Sequence, residues 1–178
     1  MNNSRCTWVS DDEIYIDYHD REWGIPTHDD KELFEMLILE SFQAGLSWIT
    51  ILKKRENFKK AFDGFDVEKV ADYDDDKIEE LLSNDGIIRH KGKITSAINN
   101  AKVFIEIQKE FGRFDKYIWG FTDGEIIKAE YLTESDLSRD ISKDLKKRGM
   151  KFVGPTIIYS YLESIGIIDN HEKNCFKF

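Results

Sequence analysis

Two cysteines and two histidines near the ends of the chain could bind a metal ion. Cys6 and His19 lie 13 residues apart, and His171 and Cys175 lie four apart, a spacing that puts both on one side of a helical turn. Two thiolates and two imidazoles without a carboxylate suit a closed tetrahedral zinc site, structural rather than catalytic. Such a site would tie the N-terminal segment to the C-terminus. The alternatives are a disulfide, which a reducing cytosol disfavours, or two buried thiols beside two surface histidines.

One glutamate lies on the apolar face of a predicted helix. In the segment LFEMLILESFQAGLSW, Glu40 follows Met36 by four residues and Leu37 by three, so it points the same way as these core residues. A carboxylate in apolar surroundings must be paired or hydrogen-bonded, or its pKa rises, which favours a functional role. The alternative is a glutamate at the end of the helix whose carboxylate reaches solvent.

The residues after this helix form a turn that exposes an apolar side chain. Residues 44–47 break the helix and present Leu46 directly before Trp48. On a surface that faces DNA, such a leucine could act as a wedge between base pairs. An exposed leucine elsewhere would need no special explanation.

Aromatic residues are concentrated near the N-terminus, around His19. They are either core packing or the walls of a pocket for a flat ligand. The residues concerned are Trp8, Tyr15, Tyr18 and Trp23.

A short glycine-bounded segment joins the last two predicted helices. Residues 150–154 separate Gly149 from Pro155 and end with Gly154. The second helix would begin with its free backbone N–H groups and positive dipole end exposed, a site for one DNA phosphate with Lys151 nearby. The string FVGPTIIYSYL looks like the second half of a helix-hairpin-helix motif. Glycine-bounded turns between helices are common, so an ordinary helical hairpin is the alternative.

Helices must position all of these residues. Only residues 13–18 alternate like a strand, and a lone strand has no partner. We therefore expect an all-α protein with an irregular N-terminal segment. Apolar spacing and capping residues predict helices from Thr27 or Asp29 to Phe42, from about Ser47 through Phe62, from residues 74–76 to Gly86, from Lys91 to Phe111, from Phe114 to Phe121, from Ser138 to Gly149 and from Pro155 to Gly166.

Length and composition indicate a single domain over residues 1–178. The chain has 178 residues, 40% of them apolar, and 23 aromatic side chains that can build a core. No stretch approaches 18 consecutive apolar residues, and the first residues lack the pattern of a secretory signal. We therefore expect a cytoplasmic protein with no membrane association.

Charge is unevenly distributed along the chain. The net charge is −9, but residues 61–86 carry −8 and residues 121–140 carry −4, which leaves +3 on the remainder. Basic residues cluster at 53–60, 89–93 and 146–151. If the fold brings these clusters to one face, an acidic protein still has a phosphate-facing side. Any one cluster could equally be a solvated helix face.

The sequence closely resembles the bacterial 3-methyladenine DNA glycosylase I family over nearly its whole length. The resemblance lies in RCTWVSDDEIYIDYHDREWG, LFEMLILESFQAGLSWITILKKRENFKKAF, GIIRHKGKI and KKRGMKFVGPTIIYSYLESIGIIDNH. It implies the all-α helix-hairpin-helix DNA glycosylase fold, with a base pocket between two helical lobes and a structural zinc ion bound by the two cysteines and two histidines. The implied partners are double-stranded DNA carrying alkylated purines and free 3-methyladenine as product, and we expect a monomer.

The resemblance also implies roles for individual residues in the base pocket. Tyr18 and Trp48 would sandwich the flipped base, Glu40 would hydrogen-bond its edge, and Tyr15 lies close by. The implied reaction is hydrolysis of the N-glycosidic bond, which leaves an abasic site.

The DNA contacts implied by the family fall on two turns. Leu46 with Gly45 matches the turn inserted into the duplex. The segment from Gly149 to Gly154, with Lys151, matches the element that anchors a phosphate.

Two positions depart from the family pattern. Phe42 stands where better-known members have a glutamine, which affects DNA contact beside the wedge. Asp169 stands where members often have asparagine and where distant relatives place a catalytic aspartate, so it is either a catalytic residue or an acceptor that orients His171.

The reaction is expected to stop at hydrolysis. The string PTIIYSYL has no lysine, whereas lyase-active relatives carry one there, so we expect no lyase activity. The alternative function is a non-catalytic, zinc-containing helix-hairpin-helix module that binds DNA, whose signature would be the loss of Glu40 or of the aromatic pair. A zinc-dependent hydrolase is disfavoured because four protein ligands leave no open position for water.

Overall fold

The computed structural model describes residues 4–178, and most of these residues are helical. Two-residue strands β1 (Ile127–Lys128) and β2 (Ile168–Asp169) pair in parallel. The prediction of an all-α protein is confirmed to the extent that the described chain is mostly helical, but the short strand pair was not predicted. The helices are α1 (Glu13–Arg21), α2 (Asp30–Gln43), α3 (Trp48–Ala61), α4 (Val67–Ala71), α5 (Asp75–Ser83), α6 (Lys91–Phe111), α7 (Phe114–Gly120), α8 (Asp136–Lys147) and α9 (Pro155–Ser164), with a 3₁₀ turn at Asp63–Phe65.

Capping residues set the helix boundaries. The Asp29 carboxylate accepts from the backbone N–H of the third residue of α2 at 3.0 Å, and Asp74 caps α5 in the same way at 2.9 Å. Helix α6 begins and ends at the predicted residues, and Gly112 beyond it has a φ of +86°. Helix α8 begins earlier than predicted because Ser135, rather than Ser138, is its N-cap.

The prediction of an irregular N-terminal segment is wrong for residues 13–21, which form helix α1. Asp12 caps this helix by accepting from the Ile14 backbone N–H at 3.2 Å. Tyr15, Tyr18 and His19 are three and four residues apart and share one helical face. An alternation of six residues is too short to distinguish a strand from such a face.

Helix α2 occupies the centre of the molecule. All ten residues from Leu33 to Phe42 are buried, and the helix contacts α3, α6, α7 and α9. The Tyr161 hydroxyl of α9 donates to the Leu33 carbonyl at 2.9 Å. A helix buried on all sides holds its side chains in fixed directions, which matters for Glu40, a carboxylate that it directs into a cavity lined by aromatic rings.

Helix length and hydropathy bear on membrane insertion. Across the described residues, none of the helices combines the length and the apolar character needed to cross a bilayer.

Candidate functional site

A cavity of about 180 Å³ opens where α1, α2, α3 and α9 meet. Its walls combine aromatic rings with carboxylates. The four residues predicted to form a base pocket, Tyr15, Tyr18, Glu40 and Trp48, meet here. The complete lining is Trp8, Tyr15, Tyr18, Trp23, Glu40, Gln43, Trp48, Tyr131, Ser160 and Glu163.

Glu40 is the buried carboxylate at the end of the cavity wall formed by α2. Its side chain is 2% exposed, so the alternative of a carboxylate that reaches solvent is wrong. Within the described chain, no hydrogen-bond donor reaches its Oε2 atom. Burial raises the pKa of Glu40 well above its ordinary value, and the nearby Glu163 carboxylate raises it further. A ligand that offers a donor would satisfy this oxygen.

Tyr18 and Trp48 are neighbours in the cavity wall. Their ring centroids are 5.5 Å apart and their planes are inclined by 53°. A flat ring between two parallel rings needs about 7 Å, because each contact takes roughly 3.5 Å. The two side chains therefore contact each other in this conformation, and they must separate to admit a base between them.

Glu163 is a functional candidate that sequence reasoning missed. It lies on α9, is 8% exposed and accepts a hydrogen bond from the Asn170 side-chain amide. Burial raises its pKa to about 7, and the Asn170 bond opposes this shift. A partial signal exists, since Glu163 interrupts the apolar run of IIYSYLESIGII, but this pattern does not show that the side chain lines a cavity.

The turn after α2 is exposed at its tip and anchored at its base. Leu46 is 40% exposed, and Gly45 has a φ of +78°, which favours glycine. The buried Lys93 ammonium donates to the carbonyls of Phe42 at 2.8 Å and Ala44 at 2.6 Å. Phe42 itself is fully buried against Phe58, with ring centroids 4.8 Å apart, so its side chain cannot contact DNA in this conformation.

The segment between α8 and α9 is held by two asparagines of α6. Asn99 donates to the Gly149 carbonyl at 2.7 Å, while Asn100 donates to the Lys151 carbonyl at 2.8 Å and accepts from the Lys151 N–H at 2.9 Å. The Lys151 side chain is exposed. Gly154 is the N-cap of α9 and provides no side-chain cap, so the first N–H groups of this helix stay free for a ligand.

The predicted basic clusters differ in their distance from the two turns and in how far acidic side chains neutralise them. Residues 89–93 adjoin both turns, since the His90 ring lies 6.1 Å from that of Phe152 and Lys93 binds the turn after α2. The cluster at 53–60 is partly neutralised, because Lys53 pairs with Asp12 at 2.7 Å and Arg55 pairs with two glutamates. Of the predicted basic clusters, residues 89–93 therefore lie closest to both turns.

Three of the four predicted metal ligands lie together at the junction of the termini. One ligand atom from each of Cys6, His19 and Cys175 lies within 4.8 Å of the others, and all three residues are buried. The His171 ring centroid is 5.5 Å from that of His19, and its buried Nε2 atom has no hydrogen-bond partner among residues 4–178. Both cysteines are free thiols, so the disulfide alternative is wrong.

Carboxylates orient both histidines of this cluster. Asp20 lies 2.8 Å from Nδ1 of His19, and Asp169 lies 2.7 Å from Nδ1 of His171. These contacts leave both Nε2 atoms for a metal ion, a common arrangement around metal-binding histidines. Asp169 does not line the cavity, so its position favours the orienting role over the catalytic one.

The fold and the site define a helical protein with a cavity of aromatic rings and carboxylates, next to an exposed leucine turn and a glycine-bounded turn. A nucleobase drawn out of a duplex fits this combination. The family model for methyladenine glycosylase matches residues 8–178, and the chain belongs to this family.

Curated and structural relatives agree with this assignment. The chain is 46% identical over 177 residues to DNA-3-methyladenine glycosylase 1 of Escherichia coli (strain K12), covering 96% of this chain and 95% of that one. A crystal structure of 3-methyladenine DNA glycosylase I matches with a TM-score of 0.94 at 45% identity, over 97% of this chain and 98% of the other. A tyrosine-to-phenylalanine variant of such an enzyme in complex with 3-methyladenine matches with a TM-score of 0.93 at 38% identity, over 99% and 97% of the two chains.

Proposed function

We propose that this protein is a DNA repair glycosylase that removes 3-methyladenine from double-stranded DNA by hydrolysing its N-glycosidic bond. The strongest support is the buried carboxylate of Glu40 in an aromatic cavity, in a chain that belongs to the methyladenine glycosylase family. The relative in complex with 3-methyladenine supports the identity of the base.

The target base must leave the duplex before it can enter the cavity. A damaged, poorly paired base costs less to extrude than a normal one, which contributes to selectivity. Leu46 on its glycine turn takes the space left in the stack. The free N–H groups at the start of α9 and Lys151 hold a phosphate of the backbone. All of these contacts come from one chain, so we expect a monomer.

The cavity residues then bind the extruded base. A purine nucleotide methylated at N3 is a cation, and the electron-rich rings of Tyr18 and Trp48 stack favourably on it. The carboxylate of Glu40 accepts from the exocyclic amino group. Tyr15 closes the same wall of the cavity.

The chemistry needs little help from an acid. The bond between the sugar C1′ and N9 of the base breaks, its electron pair stays with the base, and the cationic base leaves as a neutral molecule. Water adds to C1′ and releases one proton to the solvent, and the product is an abasic site. No lysine lines the cavity in the described part of the chain, which supports a hydrolase without lyase activity.

We also propose a structural zinc ion bound by Cys6, His19, His171 and Cys175. The clustered thiols and imidazoles, the unpartnered Nε2 of His171 and the carboxylates behind both rings support this site. When bound, the ion would join the two termini and supply no chemistry, since four protein ligands leave no position for water.

A release assay tests the proposed function. Duplex DNA treated with a methylating agent is incubated with the purified protein, and the free bases are separated by chromatography. We expect release of 3-methyladenine, with strand breaks only after alkali treatment. DNA binding without release would indicate the non-catalytic module instead, and breaks without alkali would indicate a lyase.

A further inference from the structure

Glu163 and Glu40 differ from the other buried carboxylates of the protein. Among the described residues, the buried side chains of Glu35 and Asp115 form ion pairs with arginines at 2.8 and 2.6 Å. Glu40 and Glu163 have no cationic partner in that part of the chain, although both line one cavity. A buried carboxylate without a cation is costly, so this pair calls for a partner from outside the protein.

The carboxylate of Glu163 is held in a defined position. The Asn170 amide donates to its Oε1 atom, and the Glu163 carbonyl accepts from the Gly24 N–H at 3.1 Å. No donor among residues 4–178 reaches its Oε2 atom, and the Glu163 side chain lines the cavity. One oxygen is therefore fixed by the protein and the other is available to a ligand.

We propose that Glu163, positioned by Asn170, is a second specificity-determining carboxylate that makes the cavity select bases carrying a positive charge. This inference rests on the proposed function. In this proposal Glu40 accepts a hydrogen bond from the amino group of the base, whereas Glu163 contributes through its negative charge.

Electrostatics explains why two carboxylates are useful here. Two ionised carboxylates in one largely aromatic cavity repel each other, and a cation between them relieves the repulsion while a neutral purine does not. With its pKa raised to about 7 by burial, Glu163 can ionise near neutral pH when a cation enters. Normal adenine carries no charge and gains nothing from this arrangement.

Glu163 should affect the half-saturating enzyme concentration rather than the maximal rate. The base is already cationic before the bond breaks, and its charge passes to the sugar during cleavage. Attraction to the base is therefore strongest in the bound substrate, so removing it raises the half-saturating enzyme concentration without lowering the maximal rate. The attraction between Glu163 and the base also weakens when the bond breaks, because the base becomes neutral, and this favours product release.

The test uses single-turnover release of 3-methyladenine from duplex DNA. Glu163→Gln keeps the shape and the Asn170 contact but removes the charge. We expect its half-saturating enzyme concentration to rise about tenfold, the size of one lost charge-assisted contact, with the maximal rate within about threefold of wild type. Glu125→Gln removes an exposed carboxylate outside the cavity and should behave as wild type.

A charge swap separates charge from structure. The double variant Glu163→Gln/Asn170→Asp moves the carboxylate to the other member of the hydrogen-bonded pair, and it should recover the half-saturating concentration to within about threefold of wild type. Melting temperature and zinc content are measured for each variant.

Three results would overturn the proposal. The first is a half-saturating enzyme concentration in Glu163→Gln equal to that of wild type. The second is a raised half-saturating concentration that the charge swap does not bring back towards wild type. The third is loss of the fold in both variants, which would make Glu163 structural. If wild-type protein releases no 3-methyladenine, the proposed function itself fails. Release by wild type with an unaffected Glu163→Gln contradicts only this inference.

Discussion

At the scale of residues, the two cavity carboxylates differ in how much the protein itself satisfies them. Glu163 receives a hydrogen bond from Asn170, whereas Oε2 of Glu40 has no donor among the described residues. An unsatisfied buried acceptor costs free energy that a ligand donor can recover. Glu40 therefore gains the most when a base with an amino group enters.

Replacing Glu40 by glutamine tests this role. Glu40→Gln exchanges a charged acceptor for a neutral amide, and a charge-assisted hydrogen bond is worth about 1.5–3 kcal/mol, or roughly a 10- to 100-fold change in affinity. We expect binding of free 3-methyladenine, measured by calorimetry, to weaken by this factor, while adenine binding changes much less. Strong destabilisation with intact 3-methyladenine affinity would instead make Glu40 a partner of a buried structural donor.

The raised pKa of Glu163 predicts a pH-dependent stability difference. Because its pKa is about 7 when folded against an ordinary 4.5, the folded protein holds this proton more tightly between these values. The free energy of unfolding of wild type should therefore fall relative to Glu163→Gln as the pH rises through this window. Melting temperatures of both proteins at about pH 5 and pH 8 measure the effect. A difference independent of pH would contradict it.

The sequence identifies Glu40 more readily than Glu163, for a physical reason. Glu40 interrupts an apolar face next to a turn, and local spacing reveals it. The importance of Glu163 depends on a cavity whose other walls come from α1, α2 and α3, far away in sequence. Spacing along α9 carries no information about those walls.

At the scale of elements, the sequence predicted those helix boundaries that depend on capping residues and apolar spacing within the helix itself. Caps and apolar spacing give the bounds of α2 and α6, because the atoms involved lie within one or two turns. Helix α1 was missed because six alternating residues fit either period. The bonds from Asn99 and Asn100 to the α8–α9 segment join residues about 50 apart, so no local pattern reports them.

The α8–α9 segment should contribute to DNA binding without contributing to base binding. Lys151→Glu should weaken duplex binding and reduce the slope of log affinity against log salt by about one, because one phosphate contact is lost. Binding of free 3-methyladenine should not change. Salt-dependent DNA titrations measure the first effect, with Lys116→Glu on α7 as a control of equal charge. Equal losses of both ligands in Lys151→Glu would indicate damage to the fold.

At the scale of the whole molecule, the proposed zinc site joins the two ends of the chain. The thiols of Cys6 and Cys175 meet beside His19, although the first and last of these residues are 169 positions apart. Residue types predicted the ligands, but only the fold brings them together. The ends are also joined by Glu172, which accepts from the Thr7 hydroxyl at 2.7 Å.

Metal analysis and thermal melting test the zinc site. We expect one zinc ion per chain, and its loss after Cys175→Ser. The melting temperature should then fall by roughly 5 °C or more, since 1 kcal/mol shifts that of a chain this size by about 2–4 °C. Affinity for 3-methyladenine below the melting temperature should change little. Zinc-free wild type, or unchanged zinc in Cys175→Ser, would contradict the assignment.

If the cavity between α1, α2, α3 and α9 binds the excised base, tryptophan fluorescence should report the binding. Three of the four tryptophans, Trp8, Trp23 and Trp48, line this cavity. Titration of wild type with free 3-methyladenine should give a saturable change in emission that is reduced in Trp48→Phe and shifted to higher concentration in Glu40→Gln. Adenine should give a much weaker response. An emission unchanged by 3-methyladenine, or the same response to both bases, would contradict binding of the excised base in this cavity.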